Sequence, residues 1–140
     1  MMRRMSHSSG FLMILIVMGL LGYLTPEGWS MDKKGYENIS VDRFVKMMSD
    51  KDFVLINVHI PYEGEIAETD LLIPFNAIDQ HKNELPKDKD ARIVVYCMAG
   101  PMGDIAAEKL VRMGYTRVIH FQGGLRAWKK TGRPLLFRSR

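Results

Sequence analysis

The sequence predicts a small α/β domain whose mostly parallel sheet carries helices on both faces. Two segments, FVLINV at Phe53–Val58 and RIVVY at Arg92–Tyr96, are almost continuous apolar runs of strand length. Runs of this kind are typical of strands that are buried on both faces, as they are in parallel sheets. Helix signals alternate with the strands, which is the order that βαβ units produce. At 140 residues, the chain has room for one domain of this size.

The first half of the domain begins with a helix that follows Ser40. Ser40 is a suitable N-cap, and apolar residues recur after it at helical spacing: Val41, Phe44, Val45 and Met48. The strand at Phe53–Val58 comes next, followed by a loop rich in proline, glycine and glutamate over residues 59–70. A very short strand is expected at Leu71–Ile73.

The second half adds helices and strands in alternation. Asn76 is expected to cap a helix that runs to Leu85 and ends before Pro86. The strand Arg92–Tyr96 leads through the segment Cys97–Gly103 into a helix that ends at Met113, where a following glycine suits the C′ position. The last predicted elements are a strand, a turn and a short helix: Thr116–Phe121, Gly123–Gly124 and Leu125–Lys130.

Charge is distributed unevenly along the chain, although the formal net charge is only +4. Residues 109–140 hold nine Lys/Arg and no Asp or Glu, whereas residues 31–108 hold nine Lys/Arg and fifteen acids. Such an asymmetry can mark a basic interaction face. The single cysteine excludes an internal disulfide and a structural zinc site built on cysteine pairs.

Residues 1–30 are predicted to be a signal peptide or a signal anchor, and residues 31–140 the folded domain. Arg3 and Arg4 precede an apolar run at Phe11–Leu24. As a helix, this run spans about 21 Å, short of the roughly 30 Å hydrocarbon core, so a cleaved signal is favoured. Cleavage is expected after Ser30. An uncleaved anchor is the alternative, with membrane contact through residues 11–24 alone. Both interpretations export the domain, to the periplasm or to the outer side of the membrane.

Cys97 is the candidate catalytic residue, because it stands between a central strand and a helix. Ligand sites of parallel sheets lie beyond the carboxyl ends of the strands. Free N–H groups of the loop and of the helix N-terminus stabilise an anion, so a thiolate surrounded by several amides is expected. Pro101 lacks an N–H and Asp104 is itself an anion, so both oppose this effect. A buried, inert cysteine is the alternative.

The residues after Cys97 argue against phosphatase chemistry. Cysteine-dependent phosphatases need an arginine six residues after the cysteine, because its planar fork binds the phosphoryl oxygens. Gly103 stands at that position, and no arginine occurs between Arg92 and Arg112. Phosphoryl transfer at Cys97 is therefore not expected.

Three segments resemble the rhodanese-like sulfurtransferase family: Phe53–Ile66, Ile93–Gly103 and Ala106–Trp128. The last segment, with its Gly-Tyr and Gly-Gly-x-x-x-Trp patterns, is the most specific. The resemblance implies a parallel α/β fold and a Cys97 that carries sulfane sulfur as a persulfide. It also implies transfer from a thiosulfate-like donor to cyanide or a thiol, with no cofactor. The substrate-binding loop would then comprise Met98, Ala99, Gly100, Met102 and Gly103.

The loop departs from the family pattern because it contains no cation. Family loops usually carry Arg or Lys directly after the cysteine, where this chain has Met98. The loss of one charge-assisted contact costs about 1.5–3 kcal/mol, which predicts roughly ten- to a hundredfold weaker thiosulfate binding. His59 and Arg126 are the residues expected to supply the positive charge that the loop lacks. A rhodanese-type binding or sensing module with weakened catalysis is the alternative function.

Two further interpretations concern partners. Met98 and Met102 flank the thiol and would suit Cu(I), but methionines that fill apolar gaps are favoured, so no metal site is predicted. The basic stretch at residues 126–133 surrounds Trp128, a pattern that also occurs in nucleic-acid binding. Export argues against that partner and favours a solvated face or an anionic membrane surface. The expected partner is a small sulfur-containing anion or a thiol acceptor, a protein thiol included.

Overall fold

A computed structural model describes residues 34–139. Five strands form one sheet: β1 (Glu37–Ile39), β2 (Val54–Asn57), β3 (Leu71–Leu72), β4 (Arg92–Tyr96) and β5 (Arg117–Phe121). Their order is β1-β5-β4-β2-β3, and every neighbouring pair is parallel. The predicted parallel sheet is confirmed. The predicted signal segment, residues 1–30, lies outside the described residues.

Helices cover both faces of the sheet: α1 (Val41–Met48), α2 (Pro101–Arg112) and α3 (Gly124–Lys130). One core cluster includes residues of α2, and the other includes residues of α1 and α3. Successive β4 residues alternate between the clusters, with Val95 in the first and Tyr96 in the second. Because β4 is buried on both faces, it is apolar from Ile93 onward. Within residues 34–139, no helix is both long and apolar enough to cross a membrane.

Several predicted boundaries are wrong. The helix predicted from Asn76 to Leu85 is a single 3-10 turn at Ile78–His81, because the polar residues that follow supply no apolar stripe to hold a longer helix. Two of the three α-helices begin earlier than predicted: α2 starts at Pro101, and α3 starts at Gly124, inside the predicted turn. The strand β1 was not predicted.

Tyr96 fixes the long loop after β2 to the central strand. Its buried hydroxyl accepts a hydrogen bond from the Ile66 N–H at 3.0 Å and lies 2.7 Å from Thr69 Oγ1. Burial raises the pKa of Tyr96 to about 12, although the hydrogen bond with Thr69 opposes the shift. The hydroxyl therefore stays neutral, and its hydrogen bonds with Ile66 and Thr69 hold the loop against β4.

Tyr96→Phe is expected to lower the free energy of unfolding by about 1–3 kcal/mol, because it leaves the buried Ile66 N–H without its acceptor. Urea denaturation followed by circular dichroism measures the change. Tyr115→Phe is the matched control: its hydroxyl donates to the Pro86 carbonyl in a half-buried position, so its loss should cost less. Equal effects of the two substitutions would contradict this role of Tyr96.

Candidate functional site

Cys97 lies at the carboxyl end of β4, one residue beyond Tyr96. The residue is 2% exposed and belongs to the core cluster on the α2 face of the sheet. Its Sγ accepts a hydrogen bond from the Gly100 N–H at 3.1 Å, and the thiol can donate to the Gly100 carbonyl at 3.4 Å. The loop therefore turns back on the sulfur through a single residue, Gly100.

The surroundings of the sulfur differ from the sequence prediction in two ways. Among residues 34–139, one amide, that of Gly100, donates to Sγ, where several amides were expected. The loop is also shorter, because α2 begins at Pro101. Met98, Ala99 and Gly100 form the loop, whereas Met102 and Gly103 belong to the first turn of α2. Proline suits this position because the first residues of a helix need no N–H donor.

The start of α3 holds the main chain of the cysteine from the other side. The amide of Leu125 donates to the Cys97 carbonyl, and the amide of Arg126 donates to the Met98 carbonyl, both at 2.9 Å. Gly124 permits this approach: it has φ +53°, and a Cβ there would lie 2.1 Å from the Cys97 oxygen. Arg126 is thereby placed beside the loop with its side chain exposed.

His59 occupies a neighbouring site, one strand away. It follows β2, which pairs with β4, and its Nε2 lies 2.5 Å from a Glu63 carboxylate oxygen. The imidazole lines a cavity of about 280 Å³. The remaining lining residues are Asn57, Ile60, Tyr62, Leu72, Ile73, Pro74 and Arg138, and Cys97 is absent from them. Arg126 and His59 are the two residues expected to supply the positive charge that the loop lacks. The main chain of Arg126 is hydrogen-bonded to the loop. His59 is paired with the Glu63 carboxylate instead.

A buried polar cluster supports the first turn of α2, and its composition was not predicted. His120 Nδ1 lies 2.9 Å from Asn38 Oδ1 and 3.2 Å from Asp104 Oδ1, and the Tyr36 hydroxyl donates to Asp104 at 2.7 Å. The imidazole packs against Gly103, where a Cβ would lie 2.1 Å from Nε2. Asp104 is thus partnered by groups from β5 and from the chain before β1, in addition to its place near the positive end of α2.

The model of the rhodanese-like domain family matches residues 40–131, which include the sheet from β2 to β5 and all three helices. The chain belongs to the rhodanese-like family. A sulfurtransferase of Allochromatium vinosum is 32% identical over 94 residues, a match that covers 65% of this chain and 85% of that protein. These findings support sulfur transfer as the general function of this rhodanese-like chain.

Longer relatives contain a similar domain. A tRNA uridine(34) hydroxylase of Erwinia tasmaniensis is 29% identical over 105 residues, which cover 67% of this chain and 30% of that protein. The probable adenylyltransferase/sulfurtransferase MoeZ of Mycobacterium tuberculosis is 33% identical over 90 residues, 61% of this chain and 22% of that protein. The rhodanese-like chain therefore spans less than a third of these two proteins.

Solved structures agree with the fold. A rhodanese-like domain protein of Staphylococcus aureus matches with a TM-score of 0.63 at 23% identity, covering 74% of this chain and 99% of that one. The human single-domain sulfurtransferase TSTD1 matches with a TM-score of 0.58 at 20% identity, covering 66% and 95% of the two chains. At these identities, the similarity establishes the rhodanese-like fold.

The two methionines of the rhodanese-like loop region face different layers of the domain. Met98 packs against the core cluster of α1 and α3, and Met102 packs against the cluster of α2. Their thioethers therefore fill gaps on opposite sides of the sheet. Among residues 34–139, no group of three or more His, Cys, Asp or Glu side chains is arranged to hold a metal ion.

Burial lowers the pKa of His120 below its usual 6.5, while the Asp104 carboxylate opposes the shift. His120 therefore binds a proton more readily in the unfolded chain than in the folded rhodanese-like domain. The free energy of unfolding should then decline as the pH falls below about 6.5. We expect His120→Gln to reduce this slope. Urea denaturation at several values between about pH 8 and pH 5 checks the prediction, with the exposed-site variant His81→Gln as the control. Parallel stability curves for wild type and His120→Gln would contradict it.

Proposed function

We propose that the protein is a sulfurtransferase that carries sulfane sulfur as a persulfide on Cys97. The observation that carries the proposal is the position of this sulfur: beyond the carboxyl end of the central strand, bonded to the Gly100 N–H at 3.1 Å. An amide donor stabilises the thiolate and, after transfer, the inner sulfur of a persulfide. The sulfurtransferase relative of Allochromatium vinosum supports the same chemistry.

The proposed cycle has two displacement steps. The Cys97 thiolate attacks the outer sulfur of thiosulfate, the S–S bond of the donor breaks, and sulfite leaves with the electron pair. Cyanide or a thiolate then attacks the outer sulfur of the Cys97 persulfide. The second S–S bond breaks, thiocyanate or a new persulfide leaves, and the Cys97 thiolate is restored. Neither step consumes an oxidant or a reductant, and no cofactor takes part.

The charge of the loop favours some donors over others. The segment from Met98 to Gly103 contains no Lys or Arg, so a dianionic donor gains no charge-assisted contact from it. Arg126 is the nearest cation along α3, and its main chain is bonded to Met98. We therefore propose that thiosulfate binds weakly and that less charged sulfane-sulfur donors, such as organic persulfides, react more efficiently.

The burial of Cys97 favours a second candidate function, a binding or sensing module with weak catalysis. Cys97 is 2% exposed and its Sγ is hydrogen-bonded to Gly100, so a donor has little access to the sulfur. A module of this kind would bind a sulfur compound or a protein and turn it over only slowly. Efficient steady-state turnover with a sulfane-sulfur donor would contradict this second function.

The deciding experiment measures sulfur transfer by the full chain with thiosulfate and with an organic persulfide as donors. We expect thiocyanate to form in the presence of cyanide and intact-protein mass spectrometry to find one added sulfur atom before cyanide is supplied. The organic persulfide should give the higher kcat/KM. Absence of both turnover and added sulfur, with a folded protein, would falsify the proposal.

We also propose that the domain over residues 31–140 is exported, to the periplasm or to the outer face of a membrane. The proposal rests on the apolar run at Phe11–Leu24 behind Arg3 and Arg4. Fractionation of cells that express the full chain, followed by mass analysis, tests it. Recovery of the uncleaved chain from the cytoplasm would contradict export, and a mature form that begins at Met31 would support cleavage after Ser30.

A further inference from the structure

We propose that a basic face beside the Cys97 loop binds an acidic protein segment that brings the acceptor thiol to the persulfide. The face consists of four exposed cations on α3 and the turn after it: Arg126, Lys129, Lys130 and Arg133. This inference rests on the proposed sulfur transfer and specifies the class of acceptor.

Helical spacing places these cations on one side of α3. Residues three and four positions apart are neighbours on a helix surface, so Lys129 and Lys130 follow Arg126 along the same side. The other side of α3 is buried through Leu125 and Trp128. Arg133 lies in the turn after the helix, where its guanidinium is 5.3 Å from the centre of the Trp128 ring, and it lines the same groove as Lys129.

The basic face begins at the reactive loop. The Arg126 main-chain amide donates to the Met98 carbonyl at 2.9 Å, so the first residue of the basic face is joined to the residue after Cys97. The seven residues of α3 extend about 10 Å from that point. A partner that lies along the face therefore has one end beside the Cys97 loop.

The charges of this face are not neutralised within the domain. Among residues 34–139, none of its four cations forms an ion pair with a carboxylate. Many cations elsewhere on the domain do form such pairs: Lys34, Arg43, Lys51, Arg92, Lys109, Arg112 and Arg138. Unneutralised cations attract a negatively charged partner and raise its association rate.

A groove next to the face supplies apolar contact. Its volume is about 360 Å³, and Lys129 and Arg133 line it together with Pro134, Leu135 and Phe137. Phe137 is 70% exposed, an unusual position for a large apolar side chain. Glu63 also lines the groove, but this carboxylate is paired with His59. The groove thus fits one apolar side chain that is flanked by acidic residues.

The position of the face favours a protein over other polyanions. If the face rested on an anionic membrane, the Cys97 loop would be pressed against the lipid and an anionic sulfur donor would be repelled. An unmodified nucleic acid offers no thiol to accept the sulfur. An acidic protein segment with a cysteine satisfies both requirements. Its thiolate attacks the outer sulfur of the persulfide, the S–S bond breaks, and Cys97 leaves as a thiolate.

The test uses single-turnover transfer from the full chain, previously loaded with sulfur on Cys97. The acceptors are a short synthetic peptide of glutamates with one leucine and one cysteine, and the same peptide with glutamine in place of glutamate. Lys129→Glu/Lys130→Glu reverses two charges of the basic face. Lys82→Glu/Lys87→Glu is the matched control, because these exposed lysines lie in the segment between β3 and β4 and undergo the same change of charge.

We expect wild type to transfer sulfur to the glutamate peptide about tenfold faster than to the glutamine peptide, with the difference shrinking as salt is added. The Lys129→Glu/Lys130→Glu variant should lose this preference, measured as the ratio of the peptide rate to the cyanide rate, and the control variant should keep it. Equal rates for the two peptides, with normal transfer to cyanide, would overturn the inference and leave the proposed sulfur transfer intact.

Failure of the proposed function gives a different result, because wild type would then accept no sulfur at all. Binding measurements test the two other polyanions. Vesicles of phosphatidylglycerol and a single-stranded oligonucleotide are each titrated with wild type and with the Lys129→Glu/Lys130→Glu variant. Binding of either one through the basic face without a preference for the acidic peptide would also overturn the inference.

Discussion

Cys97→Ser is expected to reduce sulfur transfer by about a thousandfold or more, the scale on which loss of a nucleophile acts. The serine hydroxyl can keep the hydrogen bond from the Gly100 N–H, so the loop should retain its shape. A hydroxyl is not ionised near neutral pH, however, and it forms no persulfide. Thiocyanate production from a sulfane-sulfur donor and cyanide measures the loss, and urea denaturation verifies that the variant is folded.

Because the chain contains one cysteine, the result has a direct interpretation. Added sulfur in wild type that is absent from Cys97→Ser places the persulfide on that residue. Sulfur transfer by the folded Cys97→Ser variant would contradict the proposed mechanism. Persulfide formation in wild type without subsequent turnover would favour the sensing module, since the sulfur would then be captured and not passed on.

The strands that were predicted correctly are those in which the local sequence is enough to specify the structure. β2, β4 and β5 are buried on both faces and mostly apolar, with Asn57 and His120 as buried polar exceptions, so each appears as a largely apolar run whatever its neighbours are. β1 was missed because it is a three-residue edge strand that contains Glu37 and Asn38. Its hydrogen-bond partners are supplied by β5, about eighty positions later in the chain, and no local pattern contains that information.

The same distinction applies to the site. The position of Cys97 follows from the boundary between a strand and a glycine-containing segment, which is local. The first turn of α2 is held by Gly103, which fits against the His120 imidazole, and by Asp104, which accepts a hydrogen bond from the Tyr36 hydroxyl. These contacts join residues far apart in the sequence. Side chains two positions apart lie on the same face of a strand, so His120 lies on the same face as Val118, which belongs to the core cluster of α2. This spacing was the available signal that the histidine faces α2.

Gly124→Ala is expected to destabilise the domain by about 2–4 kcal/mol and to displace the Cys97 loop. Two effects add at this position. A residue with a side chain is strained at φ +53°, and the new Cβ would lie 2.1 Å from the Cys97 carbonyl oxygen and 2.8 Å from that of Met98. Because both neighbours are backbone atoms, relief requires movement of the loop or of α3. Urea denaturation measures the loss of stability, and the sulfur-transfer rate of the folded fraction reports the displacement.

Gly132→Ala separates these two effects. Gly132 also has a positive φ, +80°, but a Cβ there would meet nothing within 4 Å. Its substitution should therefore cost about 1–2 kcal/mol from backbone strain alone and leave sulfur transfer unchanged. If both variants lost the same stability and the same activity, the contact between Gly124 and the Cys97 carbonyl would have no special role. A larger loss at Gly124, in activity as well as stability, would show that α3 holds the reactive cysteine in place through this close approach of two backbones.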